Sequence, residues 1–281
     1  MLTNEQFERT RRLAAKLAGI ELAGRHRELL SRRSQRLGIG DDAGLDSLLH
    51  AAEAGEANAT QKFLGWLTTK FTGFFRHPRH FEIAAAHALR AARERGRARL
   101  WSAAAATGEE PWSLAMVMIE VCQRDDPPAS ILATDVDVES LAVGQRGEYN
   151  ERALQAVSPA RRERFWRGND GAQIWGMTPA VRQLVEFRPL NLADMVWPVA
   201  GPMDVIFCRN VLMYFEAGHR YAVLERMASL LAPDGLLMLD PTEHLGKAGH
   251  WFTPGADGVY SRRPATVPSR GLKREFSASH P

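Results

Sequence analysis

Apolar residues in the first 70 positions recur at spacings of three and four, the periodicity that is typical of amphipathic helices. They form two sets, Phe7, Leu13, Leu17 and Leu22 in the first and Leu29, Leu30 and Leu37 in the second. Gly38 follows the second set and is expected to end that helix. Residues 43–54 and 58–67 predict two further short helices. The N-terminal part of the chain is therefore predicted to be all-helical.

From about Arg97 the pattern changes to short apolar runs that alternate with stretches of helical periodicity. Strands are predicted at 99–102, 130–135, 184–188, 203–208 and 236–239. Helices are predicted at 111–123, 138–146 and 221–231. This alternation is typical of an α/β fold, in which a mostly parallel sheet carries helices on both faces.

Two segments depart from the alternation. Residues 165–190 combine turn signals with short apolar alternations, which predicts a small antiparallel insertion. The tail after Arg262 has too few apolar residues to fold, so we expect it to be disordered. These features divide the chain into a helical domain with its linker at 1–75, an α/β domain at 76–263 and a tail at 264–281.

Composition places the chain among ordinary globular proteins, with 45% hydrophobic and 25% charged residues in 281. No apolar run approaches the roughly 18–20 residues that cross a bilayer, and the first residues do not resemble a signal peptide. A cytoplasmic protein without membrane insertion is therefore expected. Cys122 and Cys208 are expected to be buried free thiols. With two cysteines and nine scattered histidines, we expect no bound metal.

The net charge is only +3, with a pI of about 9.1, but the basic residues are concentrated in two places. Five arginines lie between residues 24 and 38 against Glu28 alone, and a second basic run covers 160–167. Basic helices bind nucleic acids or acidic protein partners. Each run taken alone is more simply explained as a solvated helix face.

Residues 100–112 predict a buried strand, a turn of small residues and the start of a helix. Four alanines and Gly108 leave the backbone accessible to a ligand at the carboxyl end of the first strand, where nucleotide-like cofactors bind. Glu109 and Glu110 would repel a pyrophosphate, so S-adenosylmethionine, which has a cationic end and no phosphate, fits better. The alternative is a helix that merely carries acidic residues in its first turn.

Polar residues also follow two other predicted strands. Asp135 ends the second strand, where an acidic residue accepts hydrogen bonds from ribose hydroxyls. Asp137 is placed to cap the following helix. Asn191 follows the strand that ends near Arg188, and its amide could bind the edge of an adenine.

The buried strand at 203–208 delivers Arg209, Asn210 and Tyr214 to the same edge of the sheet. An arginine there can align a carboxylate substrate, and a tyrosine hydroxyl can fix its free oxygen. Alternatively, Arg209 pairs with Asp204, and Tyr214 is only packed.

Residues 67–81 combine paired aromatics, Phe74 and Phe75, with Thr72 and Arg76, which lie four apart and are predicted on one side of a helical turn. Alone, this segment indicates a hinge between the helical part and the sheet.

Taken together, these segments resemble the chemotaxis receptor methyltransferases, the CheR family, from about residue 5 to residue 263. The motifs, in order, are Thr-Thr-x-x-Thr-x-Phe-Phe-Arg (68–76), Trp-Ser-Ala-x-x-x-Thr-Gly-Glu-Glu-Pro (101–111), Ala-Thr-Asp-Val-Asp (133–137), Asn-Leu (191–192) and Ile-Phe-Cys-Arg-Asn-Val-Leu-x-Tyr-Phe (206–215). The resemblance implies an α/β, Rossmann-like methyltransferase domain with an N-terminal all-helical domain and an antiparallel β-subdomain. It implies methyl transfer from S-adenosylmethionine to chemoreceptor glutamates, giving methyl esters and S-adenosylhomocysteine.

The resemblance also assigns residues to the cofactor and to catalysis. The positions that hold the cofactor are Lys70, Thr72, Arg76, Glu109, Asp135, Asn191, Leu192, Arg209 and Asn210. Glu109 is expected at the amino group of the cofactor and Arg76 at its carboxylate. The expected catalytic residues are Arg209, Tyr214 and Arg76, with Tyr214 beside the transferable methyl. An acceptor carboxylate is already ionised at neutral pH, so no strong base is needed.

The implied partner is a chemoreceptor. The basic helix at 25–36 corresponds to one that lies along the acidic helical bundle of the receptor, and the β-subdomain corresponds to one that grips a receptor's C-terminal tail in some members. Nothing in the sequence requires more than a monomer. Nucleic acid is not expected as a substrate, because no Asn-Pro-Pro-Tyr-like or catalytic cysteine motif follows a strand.

Two departures from the family pattern bear on activity. Lys70 stands where the family usually has an asparagine that contacts the cofactor, and its charge should weaken sulfonium binding unless it points away or pairs with Glu109 or Glu110. Asp240-Pro-Thr-Glu243 stands where the family tends to have Gly-His-Ser-Glu. The alternative function is a non-catalytic module that binds a receptor or partner with impaired cofactor binding.

Overall fold

The computed structural model describes residues 2–36, 39, 42–168 and 173–263. The expectations for Leu37, Gly38 and the tail at 264–281 fall outside the described residues. No helix within the described ranges is long and apolar enough to cross a bilayer.

The described part of the N-terminal region is helical, as the periodicity predicts. Its helices are α1 (Asn4–Ala18), α2 (His26–Arg36), α3 (Asp42–Glu53) and α4 (Ala57–Leu67). α1 begins with a reciprocal cap: the Gln6 N–H donates to the Thr3 hydroxyl, and the Thr3 N–H donates to the Gln6 side chain. It ends at Gly19, whose φ of 63° is left-handed. Leu22 therefore lies beyond the helix predicted to contain it, although it is buried in the same core.

A long helix, α5 (Pro78–Arg95), joins the helical part to the sheet, and the sequence pattern did not predict it. Its proline occupies the first turn, where the missing N–H costs nothing. The buried face is made of small residues such as Ala84, Ala88 and Ala91. Alanines at helical spacing give a weak hydrophobic signal, yet they let neighbouring backbones approach closely.

The rest of the chain alternates strands and helices. In order, the elements are β1 (Ala98–Ser102), α6 (Glu109–Cys122), β2 (Ala129–Asp135), α7 (Val138–Arg146), β3 (Glu148–Asn150), α8 (Pro159–Phe165), β4 (Trp166–Arg167), β5 (Ile174–Met177), α9 (Pro179–Arg182), β6 (Val185–Pro189), β7 (Met203–Phe207), α10 (Ala217–Leu230), β8 (Leu231–Met238), β9 (Phe252–Pro254) and β10 (Val259–Arg262).

Seven of these strands form the main sheet, in the order β6-β2-β1-β7-β8-β10-β9, and β3, β5 and β4 form a small antiparallel sheet. The strands from β6 to β8 are parallel, whereas β10 runs antiparallel to both of its neighbours. The carboxyl ends of β2, β1 and β7 therefore meet at one edge of the sheet. The predicted α/β fold with an antiparallel insertion is confirmed.

The insertion lies earlier in the chain than predicted. Its small sheet begins at Glu148 and ends at Met177, whereas Val185–Pro189, inside the predicted range of 165–190, pairs with β2 in the main sheet. Three-residue strands carry too little alternation to be recognised in the sequence. Residues 233–235, which separate the predicted helix at 221–231 from the predicted strand at 236–239, lie within β8, at a shift in its register with β7.

The two cysteines are free, as expected, but they differ in exposure. Cys208 is fully buried after β7, whereas Cys122 ends α6 and is only partly buried. The prediction that both thiols are buried is therefore wrong for Cys122, because the end of α6 lies close to the surface.

Candidate active site

A cleft of about 1280 Å³, its open mouth included, lies between the helical part and the carboxyl edge of the main sheet. Its walls come from α2, from residues 67–73 and from the residues that follow β1, β2, β6 and β7. The cleft brings together the predicted catalytic residues and every predicted cofactor residue except Glu109. These are Lys70, Thr72, Arg76, Asp135, Asn191, Leu192, Arg209, Asn210 and Tyr214.

Small residues form the wall that follows β1. Ala103, Ala104 and Ala106 line the cleft there. Just beyond them, Gly108 has a φ of 94°, and a Cβ at this position would lie 2.8 Å from the Cα of Gly144 in α7. Only glycine permits both this conformation and this approach. The turn after β1 is therefore made of small residues that pack closely on α7, and its contact with a ligand stays a prediction.

Asp135 lies at the end of β2 and is half-buried. Its carboxylate accepts hydrogen bonds from the Ala106 N–H at 2.8 Å and the Asp137 N–H at 2.9 Å. Burial raises the pKa of Asp135, and these donors counteract part of that shift. The carboxylate is thus fixed at the cleft wall, where its predicted contact with a ribose stays a prediction.

Asp137 caps α7, as predicted. Its side chain accepts from the N–H groups of Glu139 and Ser140 and from the Ser140 hydroxyl at 2.6 Å. The same carboxylate lies 2.9 Å from the Lys70 Nζ. Burial acts to raise the pKa of Asp137, but the hydrogen bonds from Lys70 and Ser140 outweigh it and hold the pKa below its usual value.

Lys70 therefore pairs with a carboxylate that the sequence did not suggest. The expected partners were Glu109 and Glu110, but the ammonium group is held by Asp137, the nearly buried cap of α7. An ion pair carries little net charge, so the repulsion expected between Lys70 and a sulfonium is largely cancelled. Lys70 therefore does not favour a non-catalytic module.

The neighbouring glutamates of α6 occupy different environments. Glu109 is buried outside the cleft lining, and its carboxylate accepts from the Thr107 hydroxyl at 2.7 Å. Glu110 lines the cleft, where it accepts from the Ser102 hydroxyl at 2.7 Å and lies 3.2 Å from Arg209. Burial raises the pKa of both carboxyls. Glu110 is therefore the glutamate that faces the cleft. The two residues are adjacent in α6, so the rotation of the helix about its axis decides which of them does so.

Arg209 pairs with Glu110 rather than with Asp204, which instead accepts from Arg95 at 2.5 Å. The alternative prediction, that Arg209 pairs with Asp204, is therefore wrong. Its side chain is only 3% exposed, and its Nη2 donates to the Arg76 carbonyl at 2.8 Å. Burial lowers the pKa of Arg209, although Glu110 opposes this.

Arg76 belongs to an irregular segment, because residues 68–77 do not form the helical turn predicted for Thr72 and Arg76. Its Nη1 donates to the Phe71 carbonyl at 3.3 Å, and its guanidinium lies 5.0 Å from the centre of the Phe71 ring. Its Nη2 lies 3.8 Å from the Asp240 carboxylate. With 32% of its side chain exposed, Arg76 is more accessible than Arg209.

A buried glutamate that the site prediction omitted organises the loop after β7. Glu243 accepts hydrogen bonds from the N–H groups of residues 210, 211 and 212, at 2.9, 3.1 and 2.9 Å, and from that of Asp240 at 3.1 Å. Asn210, with a left-handed φ of 60°, also donates its side-chain amide to Asp240 at 2.7 Å. Thr242 and Asn210 help to lower the pKa of Asp240 to about 2, against the effect of burial. Glu243 thus fixes the backbone that leads to Tyr214.

The helical part supplies contacts to two of the predicted residues. The Asn191 amide donates to the Leu17 carbonyl at 2.6 Å and accepts from the Ala193 N–H at 3.0 Å. The Tyr214 hydroxyl lies 3.3 Å from the Thr69 hydroxyl. The amide that was predicted to bind adenine therefore already has protein partners on both its oxygen and its nitrogen.

The sheet order and a cleft at its carboxyl edge that is lined by the carboxylates of Glu110 and Asp135 place the protein in the class of S-adenosylmethionine-dependent methyltransferases. The family model described as "CheR methyltransferase, SAM binding domain" matches residues 70–257. The chain therefore belongs to the CheR methyltransferase family, which confirms the resemblance of its motifs.

Relatives match across most of the chain. Chemotaxis protein methyltransferase 2 of Pseudomonas aeruginosa is 39% identical over 265 residues, which cover 92% of this chain and 93% of that protein. Chemotaxis protein methyltransferase of Escherichia coli is 35% identical over 267 residues, with coverage of 92% and 91%. A probable chemotaxis protein methyltransferase of Rhizobium etli is 38% identical over 231 residues, with coverage of 79% and 85%.

The cofactor of this family, S-adenosylmethionine, fits the residues of the cleft. The carboxylates of Glu110 and Asp135 suit its ammonium group and its ribose hydroxyls, and the accessible guanidinium of Arg76 suits its carboxylate. The alanines after β1 leave room against the backbone.

Replacing Lys70 with glutamine tests its role as the counterion of Asp137. We expect the free energy of unfolding at pH 7 to fall by about 0.5–1 kcal/mol, a small value because Lys70 is 42% exposed. The pKa of Asp137 is lowered in the folded protein, so the contribution is present above its ordinary pKa of 3.8 and is lost as the pH falls through the lower folded value. Denaturant unfolding at several pH values measures it. Lys62→Gln, on the exposed face of α4, is the control, and an equal effect of both changes would contradict the assignment.

Replacing Glu243 with glutamine tests the loop anchor. The amide keeps one acceptor oxygen but turns an NH2 group toward backbone N–H donors, so we expect a loss of about 2–3 kcal/mol in the free energy of unfolding. Chemical denaturation of this variant and of Glu82→Gln, an exposed glutamate on α5, provides the comparison. The control should stay within about 0.5 kcal/mol of the wild type. A similarly small effect at Glu243 would mean that the loop does not depend on its carboxylate.

Proposed function

We propose that the protein transfers the methyl group of S-adenosylmethionine to glutamate side chains of chemoreceptors. The products are glutamate methyl esters and S-adenosylhomocysteine. The observation that carries the proposal is a cleft of this cofactor class that presents the Tyr214 hydroxyl, a donor suited to an acceptor carboxylate. The relatives named as chemotaxis protein methyltransferases support the receptor as the substrate.

The residues of the cleft act by binding and orienting the reactants. The bound cofactor supplies a methyl group on a cationic sulfur, and the acceptor carboxylate, ionised at neutral pH, attacks it without a base. The Tyr214 hydroxyl donates to the acceptor carboxylate. The Arg76 guanidinium binds the carboxylate of the cofactor at the cleft wall. Arg209 is too enclosed to reach the acceptor, so it acts by holding the Arg76 backbone and Glu110. The amino group of the cofactor lies at Glu110 rather than Glu109.

The receptor docks on the outer face of α2. Arg32 is exposed there beside its ion-pair partner Glu28, and Arg25 is exposed just before the helix begins. Leu29 is 45% exposed and also lines the cleft. Arg27 is not part of this face, because it donates to the Leu2 carbonyl and to Asn4. The basic surface is therefore narrower than the cluster of arginines in the sequence. Its charge and its exposed leucine suit an acidic amphipathic helix.

The remaining assignments complete the proposal. The small sheet of β3, β5 and β4 binds a receptor's C-terminal tail, and the protein acts in the cytoplasm as a monomer. Its domains are divided at residues 75 and 263.

The function is tested by titrating the protein with S-adenosylmethionine and S-adenosylhomocysteine in a calorimeter and by assaying transfer of labelled methyl to a chemoreceptor cytoplasmic fragment. We expect both ligands to bind, and the transferred label to be released as methanol in base, as an ester requires. Arg76→Ala should weaken cofactor binding by about 10- to 100-fold, the worth of a charge-assisted hydrogen bond.

Arg79→Ala is the matched control, since this neighbouring arginine is 68% exposed outside the cleft lining and should leave cofactor affinity unchanged. A folded wild-type protein that binds neither ligand would overturn the enzyme and favour a partner-binding module. A base-stable label would overturn the glutamate acceptor.

Reversing the charge of Arg32 tests the docking face. Arg32→Glu should raise the KM for the receptor fragment at least about threefold at low salt, and the difference should shrink as salt screens the interaction. The kcat and the Kd for S-adenosylmethionine should stay unchanged, because Arg32 does not line the cleft. Arg124→Glu, which places the same charge beyond the C-terminal end of α6, is the control. Equal effects at the two sites would assign docking to another surface.

A further inference from the structure

Tyr214 is held at both ends by the helical part of the chain. Its carbonyl accepts from the Glu21 N–H at 2.8 Å, and Ile20 and Phe215 form an antiparallel bridge beside it. Its hydroxyl lies 3.3 Å from the Thr69 hydroxyl. The backbone of the tyrosine is therefore fixed by the connection between α1 and α2, and its phenol is fixed by the connection that follows α4.

Thr69 has a second partner on α2. The Arg33 Nη2 donates to the Thr69 hydroxyl at 2.7 Å, while its Nη1 donates to the Leu67 and Thr68 carbonyls at 2.7 and 3.1 Å. One guanidinium thus closes the C-terminal end of α4 and contacts the hydroxyl beside Tyr214. Arg33 contacts Thr69, and Thr69 contacts Tyr214. All three residues line the cleft, with Arg33 and Thr69 on its helical wall.

The charge on Arg33 sets the direction of the hydroxyl hydrogen bonds. A hydroxyl that accepts from a cation becomes a stronger donor and a weaker acceptor. The Thr69 O–H is therefore driven to donate to the Tyr214 oxygen. The Tyr214 O–H is then available to donate into the cleft. If Tyr214 donated to Thr69 instead, its O–H would not be available there.

We propose that Arg33 and Thr69 are positioning residues that orient the Tyr214 O–H toward the acceptor carboxylate. This inference rests on the proposed methyl transfer to a carboxylate. It adds a role for α2 that is separate from docking, because Arg32 faces outward while the adjacent Arg33 reaches the cleft wall.

The contact itself can be measured without any receptor. The protein is labelled with ¹³C at the tyrosine Cζ, whose chemical shift reports hydrogen bonding at the phenol, and the Tyr214 signal among the four tyrosines is assigned with Tyr214→Phe. Thr69→Val, which removes the hydroxyl at nearly constant shape, should move the Tyr214 signal alone. Thr69→Ser, which keeps the hydroxyl, should leave it in place. An unmoved signal in Thr69→Val overturns the proposal, whatever the protein methylates.

The kinetic role is tested with the receptor fragment. Thr69→Val should lower kcat roughly three- to tenfold, as loss of one hydrogen bond in the transition state requires, with KM and the cofactor Kd within about twofold of the wild type. Thr69→Ser should restore kcat. In a Tyr214→Phe background, Thr69→Val should have no further effect, because the group on which it acts is gone.

The outcomes separate this inference from the proposed function. Independent, multiplicative losses in the double variant would show that Thr69 does not act through Tyr214, and would overturn the inference while methylation stands. A Tyr214 signal that responds to Thr69, in a wild-type protein that binds cofactor but esterifies no receptor, would overturn the proposed function and with it the role assigned to the contact.

Discussion

The arrangement of the cleft depends on the buried ion pair between Glu110 and Arg209. The two residues follow β1 and β7, which are parallel neighbours, so their ends meet and two opposite charges become enclosed together. Removing either partner would leave a buried charge at a cost of about 3–5 kcal/mol. Both residues also make hydrogen bonds outside the pair: Glu110 accepts from the Ser102 hydroxyl, and Arg209 donates to the Arg76 carbonyl. The irregular segment that carries Arg76 is thereby tied to the rigid edge of the sheet.

The helical part completes this site rather than merely preceding it. Lys70 reaches the cap of α7, Asn191 reaches the end of α1, and Tyr214 pairs through its backbone with the residues after α1. Each of these contacts joins the helical part of the chain to the part that contains the main sheet. The cleft is therefore a composite of two parts of the chain, and its shape is set by how these parts pack.

The sequence predicts what depends on strong local patterns and misses what depends on orientation. The leucines of α1, the strand endings at Asp135 and Arg209, and the cap at Asp137 are local signals, and the structure bears out the elements they indicate. α5 was missed because its buried face is alanine. The choice between Glu109 and Glu110 depends on the rotation of α6, and the partners of Lys70 and Glu243 lie far away along the chain. No periodicity reports such long-range pairings.

In the proposed docking, α2 takes part in both recognition and chemistry through different side chains. Arg32 is exposed and does not line the cleft, whereas the adjacent Arg33 donates to Leu67, Thr68 and Thr69. Substitutions on the outer face can therefore accumulate as receptors diverge, without disturbing the hydrogen bonds that reach Tyr214. A duplicated gene could acquire a new receptor preference in this way while its methyl-transfer machinery remains under unchanged selection. Partner choice in such a lineage would evolve at the surface of a helix whose inner side stays constant.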